Sequence, residues 1–151
     1  MKILLAVDGS ASSDEAIAEI GRRPWPEQTQ VKLLTAVETP VMVGMEPWAA
    51  GPMYVHDVQA VSSAANAVLE DSLTKLKAAA GSRLKITGEV IPGSPQQVIV
   101  EEAERWGADL IVMGSRGLGA WNRLLLGSVS NAVVHHAKCS VEIVRRAEIQ
   151  V

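Results

Sequence analysis

Five short apolar runs punctuate the chain: Lys2–Val7, Val31–Val37, Leu84–Ile91, Asp109–Met113 and Ser140–Val144. Their apolar residues are mostly β-branched or leucine, which predicts strands. Four stretches of helical periodicity alternate with them. The first is expected from about Ser12, with Glu15 three residues on to form a capping box; Ala16, Ile17 and Ile20 give its apolar stripe and Pro24 closes it. The second runs from about Asp57 to Ala80, with Val61, Ala65, Val68, Leu69, Leu73 and Leu76 at helical spacing and Gly81 as its stop. The third opens on Ser94 as cap, with Pro95 at the first helical position and Gln97 completing a capping box, and ends at Gly107. The fourth starts at Gly127 or Ser128 and places Val129, Ala132, Val133 and His136 on one face.

Alternating strands and helices imply right-handed crossovers and a parallel sheet with helices on both faces. The run Ile3–Val7 and the run Leu110–Met113 are apolar throughout, as strands covered on both faces should be. Leu84–Ile91 carries Lys85, Thr87 and Glu89, which suits an edge. The pattern predicts an open five-stranded α/β sheet of order 3-2-1-4-5, in one domain over residues 1–151.

The segment Thr39–Tyr54 departs from this rhythm, with three prolines, two glycines, three methionines and a tryptophan. It is expected as a long loop. An apolar loop of this kind packs on the core, covers a ligand or meets a partner, and the sequence leaves all three open.

Composition narrows the class. The chain has 151 residues, 48% of them hydrophobic, and a net charge of −3. A core can form at this length, and no charge excess or run of cations points to nucleic acid or an anionic membrane surface. The single cysteine, Cys139, excludes an internal disulfide framework. The opening apolar run, Ile3–Val7, is too short for a membrane span or a signal peptide, so a cytoplasmic protein is expected.

In an open α/β sheet, ligands bind beyond the carboxyl ends of the strands where the order reverses. For the predicted order that point lies between the first and fourth strands. Asp8-Gly9-Ser10 follows one, and GSRGLGAWNRLLLGSVSN, from Gly114 to Asn131, follows the other. Gly114, Gly117 and Gly119 remove side chains that would keep a phosphate from the backbone. Gly127 and Ser128 open a helix whose free amides and positive dipole end suit an anion, and the hydroxyls of Ser128 and Ser130 can add hydrogen bonds. The alternative is that the glycines merely end a strand and start a helix. Neither the Walker P-loop nor the dinucleotide fingerprint is present.

The spacing Gly114, two residues, Gly117, nine residues, Gly127-Ser128 resembles the G-x2-G-x9-G-[S/T] ATP-binding signature of universal stress proteins. The opening strand with Asp8-Gly9-Ser10, the stretch ADLIVMG ending at Gly114 and the closing CSVEIVR resemble the same family. The resemblance implies a Rossmann-like fold and an ATP site. Asp8 would lie near the ribose or a divalent ion such as Mg²⁺. Ala6, Val7 and Val37 would line the adenine pocket, and Met113 and Gly114 would flank the nucleotide. Gly117, Gly127, Ser128 and Val129 would meet the phosphates through backbone amides, with side-chain help from Ser128 and Ser130. Arg116 and Arg123 would either neutralise phosphate or stand solvated in the loop.

The family often has Cys-Pro where this chain has Cys139-Ser140. Serine restores an amide that proline lacks. Dimers through the last strand are common in the family, so the resemblance implies a homodimer built on Val141, Ile143 and Val144.

Other polar residues carry less. His135 and His136 suit a helix C-terminus better than a metal site with Cys139. His56 is expected exposed at the end of the loop, Cys139 as a small buried hydrophobe, and Glu101-Glu102 as a solvated face. No nucleophile–base pair stands out, so nucleotide binding with little or slow hydrolysis is expected. A nucleotide-independent dimeric scaffold and a weak ATP hydrolase are the competing readings.

Overall fold

The computed structural model describes residues 1–38, 52–115 and 126–145, with backbone alone for 52–57. Its elements are β1 (Lys2–Ala6), α1 (Ala11–Arg22), β2 (Gln30–Val37), α2 (Pro52–Ala80), β3 (Lys85–Pro92), α3 (Pro95–Trp106), β4 (Leu110–Gly114), α4 (Ser128–His136) and β5 (Ser140–Val144). The sheet is wholly parallel and ordered β3-β2-β1-β4-β5, as the sequence predicts.

Alternation along the strands divides the core in two. Ile3, Leu5 and Val7 join Val31, Leu33 and Val112 under α1 and α2. Leu4 and Ala6 join Leu34, Ile111 and Met113 under α3 and α4. The period-two geometry of a strand requires this division. Helix α1 approaches α2 closely at Gly21, where an added Cβ would stand 2.4 Å from that of Ala79.

Element boundaries differ from expectation for local reasons. Helix α1 begins at Ala11, not near Ser12, and its cap is Ser10. The Ser10 hydroxyl accepts the Ser13 amide at 3.2 Å, so Ser12 falls inside the first turn and the expected box with Glu15 is not the capping device. The helix ends at Arg22, with Arg23 extended before Pro24, because proline disfavours a helical residue ahead of it. Helix α2 starts at Pro52, so His56 and part of the expected loop are helical. The remainder of that loop, from Thr39 to Gly51, lies outside the described residues.

Helix α3 has Ser94 in the cap position without a side-chain cap bond. Gln97 donates instead to Glu101, at 2.8 Å, and the expected capping box does not form. Gly107 ends the helix at φ 69°, a left-handed conformation that glycine adopts without strain. On α4 the buried positions are Ser130 and Val133, while His136 is exposed. His135 and His136 each turn Nδ1 to the carbonyl four residues back, Asn131 at 2.7 Å and Ala132 at 2.8 Å.

The expectation of a solvated pair at Glu101-Glu102 is half overturned. Glu101 is exposed, but Glu102 is only 3% exposed. A buried carboxylate needs partners, and Lys32 of β2 and Arg105 one turn along α3 supply them. Cys139 is partly buried against the α3–α4 core, and that burial raises its thiol pKa.

Candidate functional site

The parallel register pairs Ala6 of β1 with Met113 of β4. The segments that follow therefore leave the same end of adjacent strands. Asp8-Gly9-Ser10 and Gly114-Ser115 meet there, where the strand order reverses.

On the β1 side, Gly9 takes φ 77°, a backbone conformation that side-chain-bearing residues rarely adopt. Asp8 is half-buried, and its Oδ1 accepts the Ser10 amide at 3.0 Å. This bond turns the chain into α1.

On the β4 side, Ser115 ties three elements together. Its amide donates to Val144 of β5 at 2.9 Å, and its carbonyl accepts the Gly127 amide at 2.9 Å. The Ser130 hydroxyl faces the carbonyls of Gly114 and Ser115 at 3.3 and 3.2 Å. The N-terminus of α4 is thereby held against the end of β4. Its first intrahelical bond runs from Asn131 to Gly127, at 2.9 Å. The amides of Ser128, Val129 and Ser130 precede that bond and have no acceptor within the helix.

The predicted site residues that fall within the described ones each have a definite place. Gly127 spends its amide on Ser115, and Ser130 turns its hydroxyl inward, so the donors facing outward from this turn are main-chain amides and the exposed Ser128 hydroxyl. Gly114 is required for packing, because an added Cβ would lie 2.6 Å from the Ser12 backbone. Ala6, Val7 and Met113 are buried within the two cores and Val37 is buried at the end of β2, so their side chains offer a ligand little surface. The Val37 carbonyl accepts the Gly93 amide at 2.9 Å, which brings the start of α3 beside the end of β2. Arg116, Gly117, Gly119 and Arg123 lie outside the described residues.

Two features escaped the sequence reading. Ser115 is buried and forms the junction just described. The Thr35 hydroxyl, two residues before Val37, is buried with no hydrogen-bond partner among the described residues. An open hollow lined by Gln28, Gln30, Ser82, Arg83, Leu84 and Lys85 sits at the opposite end of β2 and β3. Its Arg83 guanidinium is committed to the carbonyls of Gly21, Ala79 and Ala80.

The family model described as the universal stress protein family matches residues 1–145. The chain belongs to the universal stress protein family. It is 34% identical over 148 residues to universal stress protein A homolog 2 of Coxiella burnetii, covering 95% of this chain and 94% of that protein. The structure of protein MJ0577 superposes with a TM-score of 0.81 at 24% identity, covering 97% of this chain and 96% of the other, and shares the fold. A universal stress protein solved in complex with cAMP superposes with a TM-score of 0.70 at 26% identity, covering 97% of this chain and 98% of the other. Among the described residues no group of three His, Cys, Asp or Glu gathers as a metal site, and no helix is long and apolar enough to cross a membrane.

Proposed function

We propose that the crevice between Asp8 and the N-terminus of α4 binds ATP, and that this universal stress protein is a nucleotide-responsive signalling module with little or slow hydrolysis. The observation that carries this reading is the Ala6–Met113 pairing, which brings a carboxylate and a helix N-terminus to one end of neighbouring strands. Open N-terminal amides and the helix dipole favour phosphate. The cAMP-bound relative supports a nucleotide ligand, and the glycine spacing from Gly114 to Gly127 supports a triphosphate.

The amides of Ser128 and Val129 would meet the phosphates, with Gly117 and Arg116 from the intervening loop and the Ser128 hydroxyl beside them. The main chain around Val7, Val37 and Met113 would flank the base. Asp8 fits Mg²⁺, which is commonly held by one or two carboxylates together with substrate phosphates and water. The ion would screen phosphate charge from Asp8. Self-association through β5, with Val141, Ile143 and Val144, is the assembly we propose, in a cytoplasmic protein whose lone cysteine suits a reducing compartment.

A second reading, a scaffold indifferent to nucleotide, is favoured by Gly114, whose lack of a side chain is already explained by Ser12. Mass spectrometry of protein purified without added nucleotide separates the two. Stoichiometric adenine nucleotide supports the site, and nucleotide-free protein that takes up none on incubation with ATP–Mg²⁺ supports the scaffold.

A further inference from the structure

Strand β5 ends the sheet, and Glu142 is the central residue of its five. A charge in the middle of an edge strand is a common device against pairing with another chain. Here the charge is cancelled. Arg23, the residue that follows α1, grips the Glu142 carboxylate with both terminal nitrogens, Nη1 to Oε2 at 2.8 Å and Nη2 to Oε1 at 2.7 Å. The grip is braced on two further sides. Arg23 Nε donates to Glu19 at 2.6 Å, and the guanidinium lies 5.6 Å from the centroid of the Trp25 ring. A bidentate pair with a second carboxylate on its third nitrogen holds the guanidinium in one orientation.

No proline interrupts Ser140 to Val144, so the alternate amides that face away from β4 all keep their donors. Val141 and Ile143 reach the α3–α4 core and Val144 the α1–α2 core, and all three are only partly buried, which leaves apolar surface on both sides of Glu142.

We propose that Arg23 licenses self-association of this chain: it neutralises Glu142 so that the β5 edges of two copies can pair antiparallel about a two-fold axis at that residue. The inference rests on the β5 assembly proposed above. A two-fold axis gives an isologous interface in which each residue near the axis meets its own copy. The two Glu142 side chains would then be directly opposed, with Cβ atoms about 5 Å apart. Two bare carboxylates at that separation repel, whereas two Arg23–Glu142 pairs present alternating charge. Val141 and Ile143 of each copy would extend the contact on either side.

The test is sedimentation equilibrium of the full chain and three variants, each checked for cooperative melting. The wild type is expected to be a dimer. Arg23→Gln should weaken dimerisation at least tenfold at low salt. The dimer should return at high salt, which screens like charges. Glu142→Gln should dimerise more strongly than Arg23→Gln, because Arg23 keeps part of Glu19, which it shares with Arg22, and Arg23→Gln/Glu142→Gln should regain the dimer. The double variant and Glu142→Gln keep the test decisive if Arg23→Gln fails to fold, since a monomeric double variant overturns the inference. A dimeric wild type with an Arg23→Gln variant equally dimeric at low salt leaves the β5 assembly standing and removes the role of Arg23. A monomeric wild type removes both.

Discussion

The ammonium group of Lys32, in the second strand, reaches the buried carboxylate of Glu102, in the third helix, at 2.6 Å. Glu89 of β3 contacts the same ammonium, and Arg105 closes the other side of Glu102 at 2.7 Å. The cluster lies where α3 crosses the sheet, with α3 itself starting beside the end of β2. Removing one partner would strand a charge. Lys32→Met is expected to lower stability by about 3 kcal/mol, because Glu102 would keep only Arg105. Lys32→Met/Glu102→Leu should recover most of that loss, since paired apolar replacements are often neutral. Denaturant titration of the three proteins measures both effects.

The same cluster predicts a dependence on alkaline pH. Burial lowers the Lys32 pKa, but the hydrogen bonds it donates to Glu102 and Glu89 outweigh that, and the net shift is upward from 10.5. A lysine whose folded pKa is raised contributes stability that is fully present below its unfolded pKa and is lost as pH climbs through the folded value. Stability should therefore decline above about pH 10.5 more steeply in the wild type than in Lys32→Met. Parallel slopes in urea titrations across that range would contradict the assignment.

Gly114→Ala tests the packing role of a residue that also belongs to the glycine signature. The new Cβ would meet Ser12 backbone at 2.6 Å, and backbone yields less readily than a side chain. The expected loss is about 1–3 kcal/mol in the absence of any ligand. An unchanged melting temperature in nucleotide-free protein would mean that α1 does not press on β4 as described.

Ser128→Pro isolates one amide. Position 128 is the first residue of α4, where proline is tolerated, and Gly127 already has the extended backbone that must precede it, with φ −61° and ψ 157°. The variant should fold as well as the wild type and bind ATP about tenfold more weakly, through loss of one amide and one hydroxyl. Calorimetric titration reads the affinity, and equal affinity would place the phosphates elsewhere.

Much of this was legible in the chain. The central strands declared themselves because both their faces are apolar, and that fixed the strand order. The helix stop at Gly107 was equally plain. Glu102 was not, because its partner Lys32 is 70 residues away and neighbouring Glu101 is indeed solvated. The grip of Arg23 on Glu142 spans 119 residues and was invisible for the same reason. Gly114 and Ser130 illustrate a different limit. Glycine and serine near a helix start suit a phosphate and suit tight packing alike, and only the neighbours, Ser12 and the carbonyl of Ser115, distinguish the two uses.

The measurement closest to the heart of the account is the melting temperature of nucleotide-free protein as ATP–Mg²⁺ is added, with binding followed by calorimetry in parallel. The nucleotide site proposed beside Asp8 predicts one nucleotide per chain and a stabilisation of about 2.7 kcal/mol when ATP stands a hundredfold above its Kd. A melting transition that stays fixed at every ATP concentration, with no heat of binding, would contradict it.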